Sequence, residues 1–124
     1  MDKKENKTII VTGGANGIGK CIAETYAAAN FNTVIADIDN VNGQLLEEKI
    51  REKGYEAYFI STDISKFDDI QKLVNQTYEK YGSINILINN AGISRSTSAY
   101  LLSIEEWDLI LNTNLRAMYF LTRE

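Results

Sequence analysis

Four short apolar runs, at residues 8–11, 33–36, 57–60 and 84–88, alternate with longer amphipathic stretches along the chain. The runs are rich in β-branched and aromatic residues and end in polar or glycine punctuation, which is the pattern of strands. They are apolar at consecutive positions, so both faces expect cover, as in a parallel sheet sandwiched by helices. The stretches between them read as helices. Residues 41–53 carry Lys49, Arg51 and Lys53 near their end, complementing the helix dipole, with Gly54 closing the segment. In the third helix Ser65 and Asp68 have the spacing of a capping box. Ile70, Leu73, Val74, Thr77, Tyr78 and Tyr81 then form one face, and Gly82 takes the left-handed cap position. A final helix starts at Ser103, boxed by Glu106, and runs on to the last residue. The order β-α-β-α-β-α-β-α with right-handed crossovers predicts an α/β fold, a doubly wound parallel sheet in three layers, with strands one to four present.

The composition narrows what such a sheet can do. A length of 124 residues suits one domain, and 44% apolar residues suffice for a core, which excludes a disordered chain. A net charge of −4 argues against nucleic acid or an anionic membrane as partner. The absence of histidine removes imidazole catalysis and the commonest metal ligand. The single cysteine, Cys21, excludes an internal disulfide and a thiolate metal cage. No apolar run reaches the length of a membrane span, so the expectation is a cytoplasmic protein with a flexible start at residues 1–6 and one domain over 7–124.

Chemistry concentrates at the strand ends. Gly13, Gly17 and Gly19 stand in a turn between the first strand and the first helix. There a bare backbone approaches a ligand closely and a helix N-terminus offers N–H groups to a pyrophosphate. A glycine trio alone is weak; its place in the first βαβ unit is what gives it weight. Asp37 ends the second strand, where a carboxylate accepts both ribose hydroxyls of an adenosine and repels a 2′-phosphate. Its other reading is an N-cap for the next helix, a task that Asp39 and Asn40 can take. Neither Asn16 nor Ile38 supplies a cation for a 2′-phosphate, so NAD is expected over NADP. Asn114 interrupts the stripe Trp107, Leu111, Met118, which is expected to face the sheet. A buried amide there needs partners, and satisfying backbone groups at a helix kink is one way to find them.

Thr12-Gly-x-x-x-Gly-Ile-Gly19, Asp37, Asp63, Asn89-Asn90-Ala91-Gly92 and Asn112-Thr-Asn114-Leu115, in this order and spacing, resemble the short-chain dehydrogenases/reductases. The resemblance runs from Lys7 onward. It implies a Rossmann-type fold in which Gly13, Asn16, Gly17, Ile18 and Gly19 hold the pyrophosphate and ribose of NAD, with Asp37 and Ile38 at the adenosine ribose. By the same resemblance Asp63 and Ile64 contact adenine, and Asn90, Ala91 and Gly92 lie along the cofactor. Asn89 would help tie the sheet together, and Asn114 would be one of four catalytic residues, supporting a water in a proton relay. Asp63 and Asn90 also have plainer readings as turn residues. Asn85 departs from the aspartate usual at its place, with little consequence expected for the cofactor.

The family's reaction moves hydride between nicotinamide and an alcohol or carbonyl, with a serine and a Tyr-x-x-x-Lys pair beside the asparagine. This chain contains no Tyr-x-x-x-Lys, and Ser94, Ser96, Ser98 and Ser103 do not match the serine. The expectation is therefore the cofactor-binding N-terminal half of an NAD-dependent oxidoreductase, homo-oligomeric, acting on a small alcohol or carbonyl when whole and inactive as this chain alone. The alternatives are a non-catalytic dinucleotide-binding or assembly module and an inactive truncated remnant.

Overall fold

The computed structural model describes residues 6–93, 98 and 100–124; Ser94, Ser96 and all but the last of residues 1–6 lie outside the described residues. Strands β1 (Thr8–Thr12), β2 (Asn32–Asp37), β3 (Ala57–Ser61) and β4 (Ile86–Ile88) form one parallel sheet in the order β3-β2-β1-β4. Helices α1 (Gly17–Ala28), α2 (Asn40–Glu52) and α3 (Phe67–Tyr81) make the crossovers. The consecutive apolar residues of each strand alternate between two cores, as a doubly covered sheet demands. Ile9, Val11 and Ile35 meet Ala23, Ala27, Leu46 and Ile50 of α1 and α2. Ile10, Val34, Ala36 and Ile60 meet Ile70 and Leu73 of α3, with Ala117 and Leu121. The three-layer expectation holds.

Several local expectations change. β4 begins at Ile86 rather than 84, because Asn85 meets β1 partly through its side chain. Its Oδ1 accepts from Thr8 N at 2.8 Å, and its own N donates to Thr8 O at 2.9 Å. Helix α1 starts at Gly17, so Gly17 and Gly19, expected in the turn before it, belong with Ile18 to its first turn. Helix α2 is capped by Asp39, whose carboxylate accepts from Asn42 N. The Ser65–Asp68 box does not form. Lys66 is the N-cap of α3, the Ser65 hydroxyl donates to Asp63, and it is Asp69 that reaches back, accepting from Asp63 N. Gly82 is left-handed, with φ of 75°, as expected. The α3 face buries Ile70, Leu73 and Thr77, while Tyr78 is exposed.

The last helix is not α-helical throughout. It consists of α4 (Ile104–Leu111), a π-turn over Asn112–Arg116 and α5 (Ala117–Arg123). Ser103 and Glu106 form the reciprocal capping box. The wider turn rotates the buried side onto Thr113, Ala117 and Leu121, leaving Trp107 56% exposed and Leu111 and Met118 also on the outside. The stripe expected to face the sheet is therefore the wrong one.

The two sheet edges differ. At β3, Glu47 of α2 accepts from Phe59 N and Arg51 donates to Ala57 O at 2.9 Å, the two side chains lying 3.5 Å apart as an ion pair. The edge backbone is thus closed by a helix beside it. Among the described residues β4 pairs only with β1.

Candidate functional site

The sheet order reverses at β1, and at the carboxyl ends of the strands a cleft of about 500 Å³ opens there. This is where open α/β sheets bind ligands, and the volume is that of a small-molecule site. Gly13, Asn16, Gly17, Asp37, Ile38, Asp63, Ile64, Asn90, Ala91 and Gly92 all line it.

The floor is a tight nest of turns. Gly13, with φ of 63°, donates its N–H to Ala36 O at 2.7 Å, and a Cβ on it would stand 2.9 Å from Ala91 Cα. A Cβ on Gly19 would run into Gly13 O, so the first turn of α1 lies against the loop only because no side chain intervenes. Thr12 latches β1 to the exit of β4. Its hydroxyl accepts from Asn90 N at 3.0 Å and Ala91 N at 3.1 Å and donates to Ile88 O at 3.2 Å. The Asn90 amide returns the contact, donating to Thr12 O at 3.1 Å and Gly13 O at 3.2 Å. The sheet tie expected of Asn89 is thus made by Asn90; Asn89 instead reaches Thr122 Oγ1 on α5 at 3.4 Å.

One side of the cleft is acidic. Asp37 accepts from Ala15 N through Oδ2 and from Asp39 N through Oδ1, each at 3.0 Å. Asp39 takes the Asn16 amide at 3.0 Å. The Asn42 N–H, then the Asn16 and Asn42 amides, hold the Asp39 carboxyl below the usual carboxylate range, so it stays ionised. With its amide used on Asp39, Asn16 makes no cap to α1, whose first turn also lacks an acidic residue. The N–H groups and positive dipole end of α1 are left for an anion. At the far side, Asp63 closes its own turn, Oδ1 accepting from Ser65 N at 3.0 Å and Oγ at 2.6 Å. The turn reading of Asp63 and its place in the cleft are both realised.

Asn114 sits within the π-turn, one step from the cleft. Its Oδ1 accepts from Ile93 N and its Nδ2 donates to Ile93 O, both at 2.8 Å. The backbone groups it satisfies belong to the chain leaving β4, not to the kink in its own helix. Of the other expected residues, Ile18 points outward, 75% exposed, and Gly19 lies behind the loop. Sequence reasoning omitted Thr12, Ile93 and Thr113. Thr12 stands in the sequence as the first residue of the glycine-rich motif, just past the strand read over 8–11, with no task of its own, and its place directly before Gly13 is the signal that could have given it one. Among the described residues no group of side chains could hold a metal ion, and no helix is long and apolar enough to cross a membrane.

Comparison with known proteins agrees with this geometry. The sequence model of the short chain dehydrogenase family matches residues 7–124. An uncharacterized oxidoreductase of Thermotoga maritima is 36% identical over 119 residues, covering 96% of this chain and 46% of that protein. A 3-ketoacyl-(acyl-carrier-protein) reductase from Brucella melitensis, solved with NADH, superposes with a TM-score of 0.88 at 33% identity, covering 98% of this chain and 49% of its own. A metagenomic short-chain oxidoreductase solved with NADP gives 0.90 at 29% identity, covering 94% and 53%. The chain spans about half the length of the relatives it matches.

Proposed function

The chain belongs to the short-chain dehydrogenase family, and on that premise we propose that it forms the NAD-binding half of an oxidoreductase acting on an alcohol or carbonyl. What carries this reading is the convergence of the glycine-rich turn, Asp37 and the Asn90–Gly92 segment on one cleft at the switch point of the sheet. Gly17, with φ of 55° and nothing within 4 Å of where a Cβ would stand, leaves the loop open to a close-lying pyrophosphate, while Gly13 and Gly19 pack against Ala91 and the loop itself. On this reading the first-turn N–H groups of α1 hold the pyrophosphate, with Ile18 beside it, and Asp37 accepts the ribose hydroxyls. Asp63 and Ile64 flank adenine, and Asn90, Ala91 and Gly92 lie along the remainder. NAD, when bound, supplies a hydride acceptor at its nicotinamide. Asn114 is a positioning residue here, fixing Ile93 at the cleft wall, and its catalytic assignment by family resemblance belongs to the whole enzyme.

NAD is favoured over NADP because Asp37 stands beside Asp39 and, among the described residues, no arginine or lysine lines the cleft. The whole protein is read as a cytoplasmic homo-oligomer. Without the serine, tyrosine and lysine of the family, this chain does not turn over by itself. The test is thermal melting with and without dinucleotide, since a ligand that binds only the folded state raises the melting temperature. NAD at millimolar concentration is expected to raise it, NADP to do so less, and D37A to narrow the difference. No shift with either, or alcohol oxidation by the chain alone, would contradict the proposal.

A further inference from the structure

We infer that the Asn16–Gly17 pair is a modification site, where spontaneous deamidation weakens the cleft for an anionic ligand and a bound dinucleotide holds the reaction back. The chemical step stands on the geometry of the pair; its effect on binding rests on the dinucleotide reading above. A glycine after an asparagine leaves its backbone nitrogen free to reach the side-chain carbonyl carbon, because no Cβ stands in the way. The chain holds two such pairs, Asn16–Gly17 and Asn42–Gly43. The fold treats them differently. Gly43 is buried in the first turn of α2 against the Phe59 ring, and its N–H donates to Asp39 O at 2.9 Å. Asn16 and Gly17 are both exposed, Asn16 is extended, and among the described residues the Gly17 N–H meets no acceptor. A Cβ on Gly17 would find nothing within 4 Å, which leaves room for a ring to close. The positive end of the α1 dipole also favours charge on this nitrogen as its proton leaves.

The step needs only water. A solvent base takes the Gly17 N–H proton, and the nitrogen attacks Asn16 Cγ to form a cyclic imide. The Cγ–Nδ2 bond breaks, and Nδ2 leaves as ammonia with a proton regained from solvent. Water then opens the ring at one of its two carbonyls, giving aspartate or isoaspartate at position 16. Either product puts a carboxylate where the Asn16 amide now donates to Asp39 Oδ2 at 3.0 Å. Attraction between the loop and α2 becomes repulsion, and a new negative charge stands at the open end of α1. A pyrophosphate bound there accepts from the Gly17 N–H, so its proton stays in place.

The experiment ages the chain in mildly alkaline buffer, with and without saturating ADP-ribose, and follows its tryptic peptides by mass. Trypsin separates the two pairs: Asn16 is the one asparagine of peptide 8–20, and Asn42 lies in peptide 21–49, where fragment masses locate it. Conversion at Asn16 is expected to run about tenfold faster than at Asn42, whose Gly43 N–H must first leave its acceptor. ADP-ribose is expected to slow conversion at Asn16 and not at Asn42. In calorimetric titration with ADP-ribose the aged chain should lose binding in proportion to the converted fraction, and N16D should bind about tenfold more weakly than the fresh chain. Equal rates at the two pairs, or an unconverted Asn16, overturn the site. Conversion that leaves ADP-ribose binding intact overturns its effect on the cleft. A fresh chain that converts at Asn16 and does not bind ADP-ribose overturns the dinucleotide reading, and with it the protection, while the modification site stands.

Discussion

Thr12 shows how much one side chain can organise. It is buried, and its single hydroxyl satisfies two N–H groups and one carbonyl at the point where β1, the glycine-rich turn and β4 meet. Valine has the same shape without the oxygen, so T12V leaves Ala91 N without its acceptor and Asn90 N with the Ile88 carbonyl alone. The expected cost is about 2 kcal/mol in urea unfolding, with T12S recovering most of it. Equal stability of T12V and wild type would remove the latch from the account. Asn114 works by the same logic on Ile93, where both ends of its amide are used. Its value to the cleft is the position of that backbone.

At the scale of elements, two contacts outside the cleft are decisive for the sheet. Tyr81, near the end of α3, donates its hydroxyl to Glu56 at 2.7 Å just before β3. Burial first, then this hydrogen bond and the charge of Glu56, push the phenol above its ordinary value of about 10. A raised value means that the neutral phenol is the stabilising form. Its contribution is complete below about pH 10 and is lost as the pH climbs beyond it. Y81F should therefore melt below the wild type at pH 8, and the two melting curves should converge in alkali; a constant gap up to about pH 11 would contradict this. The closed edge of β3 makes a separate prediction. E47A/R51A uncovers Phe59 N and Ala57 O, and the double variant is expected to self-associate in gel filtration where the wild type gains nothing through that edge.

Most of these elements are legible in the sequence because local signals agree with one another. Runs of β-branched, aromatic and other apolar residues mark all four strands, Asp39 and Ser103 announce their caps, and Gly82 its left-handed end. The misreadings have a common cause. A side chain in a crowded turn has several partners within reach, and sequence spacing does not choose among them. Ser65 goes to Asp63 instead of a helix N–H, and Asn90 takes the strand tie instead of Asn89. The π-turn is invisible because one extra residue per turn leaves no compositional mark, yet it decides which face of α4 and α5 is buried. Cleft residues are legible only through their order and spacing, because a glycine or an aspartate at a strand end also serves a turn or a cap.

Across the whole molecule, a sheet of order β3-β2-β1-β4 brings the ends of all four strands to one side, and the glycine-rich turn, the Asp37–Asp39 pair, Asp63 and the Asn90–Gly92 segment meet there. The family relationship covers residues 7–124, and that stretch holds the cleft and no Tyr-x-x-x-Lys pair. The central claim is that this cleft takes the adenosine end of a dinucleotide. The most direct measurement is a titration of the ¹⁵N-labelled chain with ADP-ribose, followed by amide chemical shifts. The account predicts saturable shifts at Gly13, Gly17, Ile18, Asp37, Asp63 and Ala91, with α2 and the outer edge of β3 unmoved. Absence of shifts at saturating ligand, or shifts centred away from the ends of β1 and β2, would contradict it.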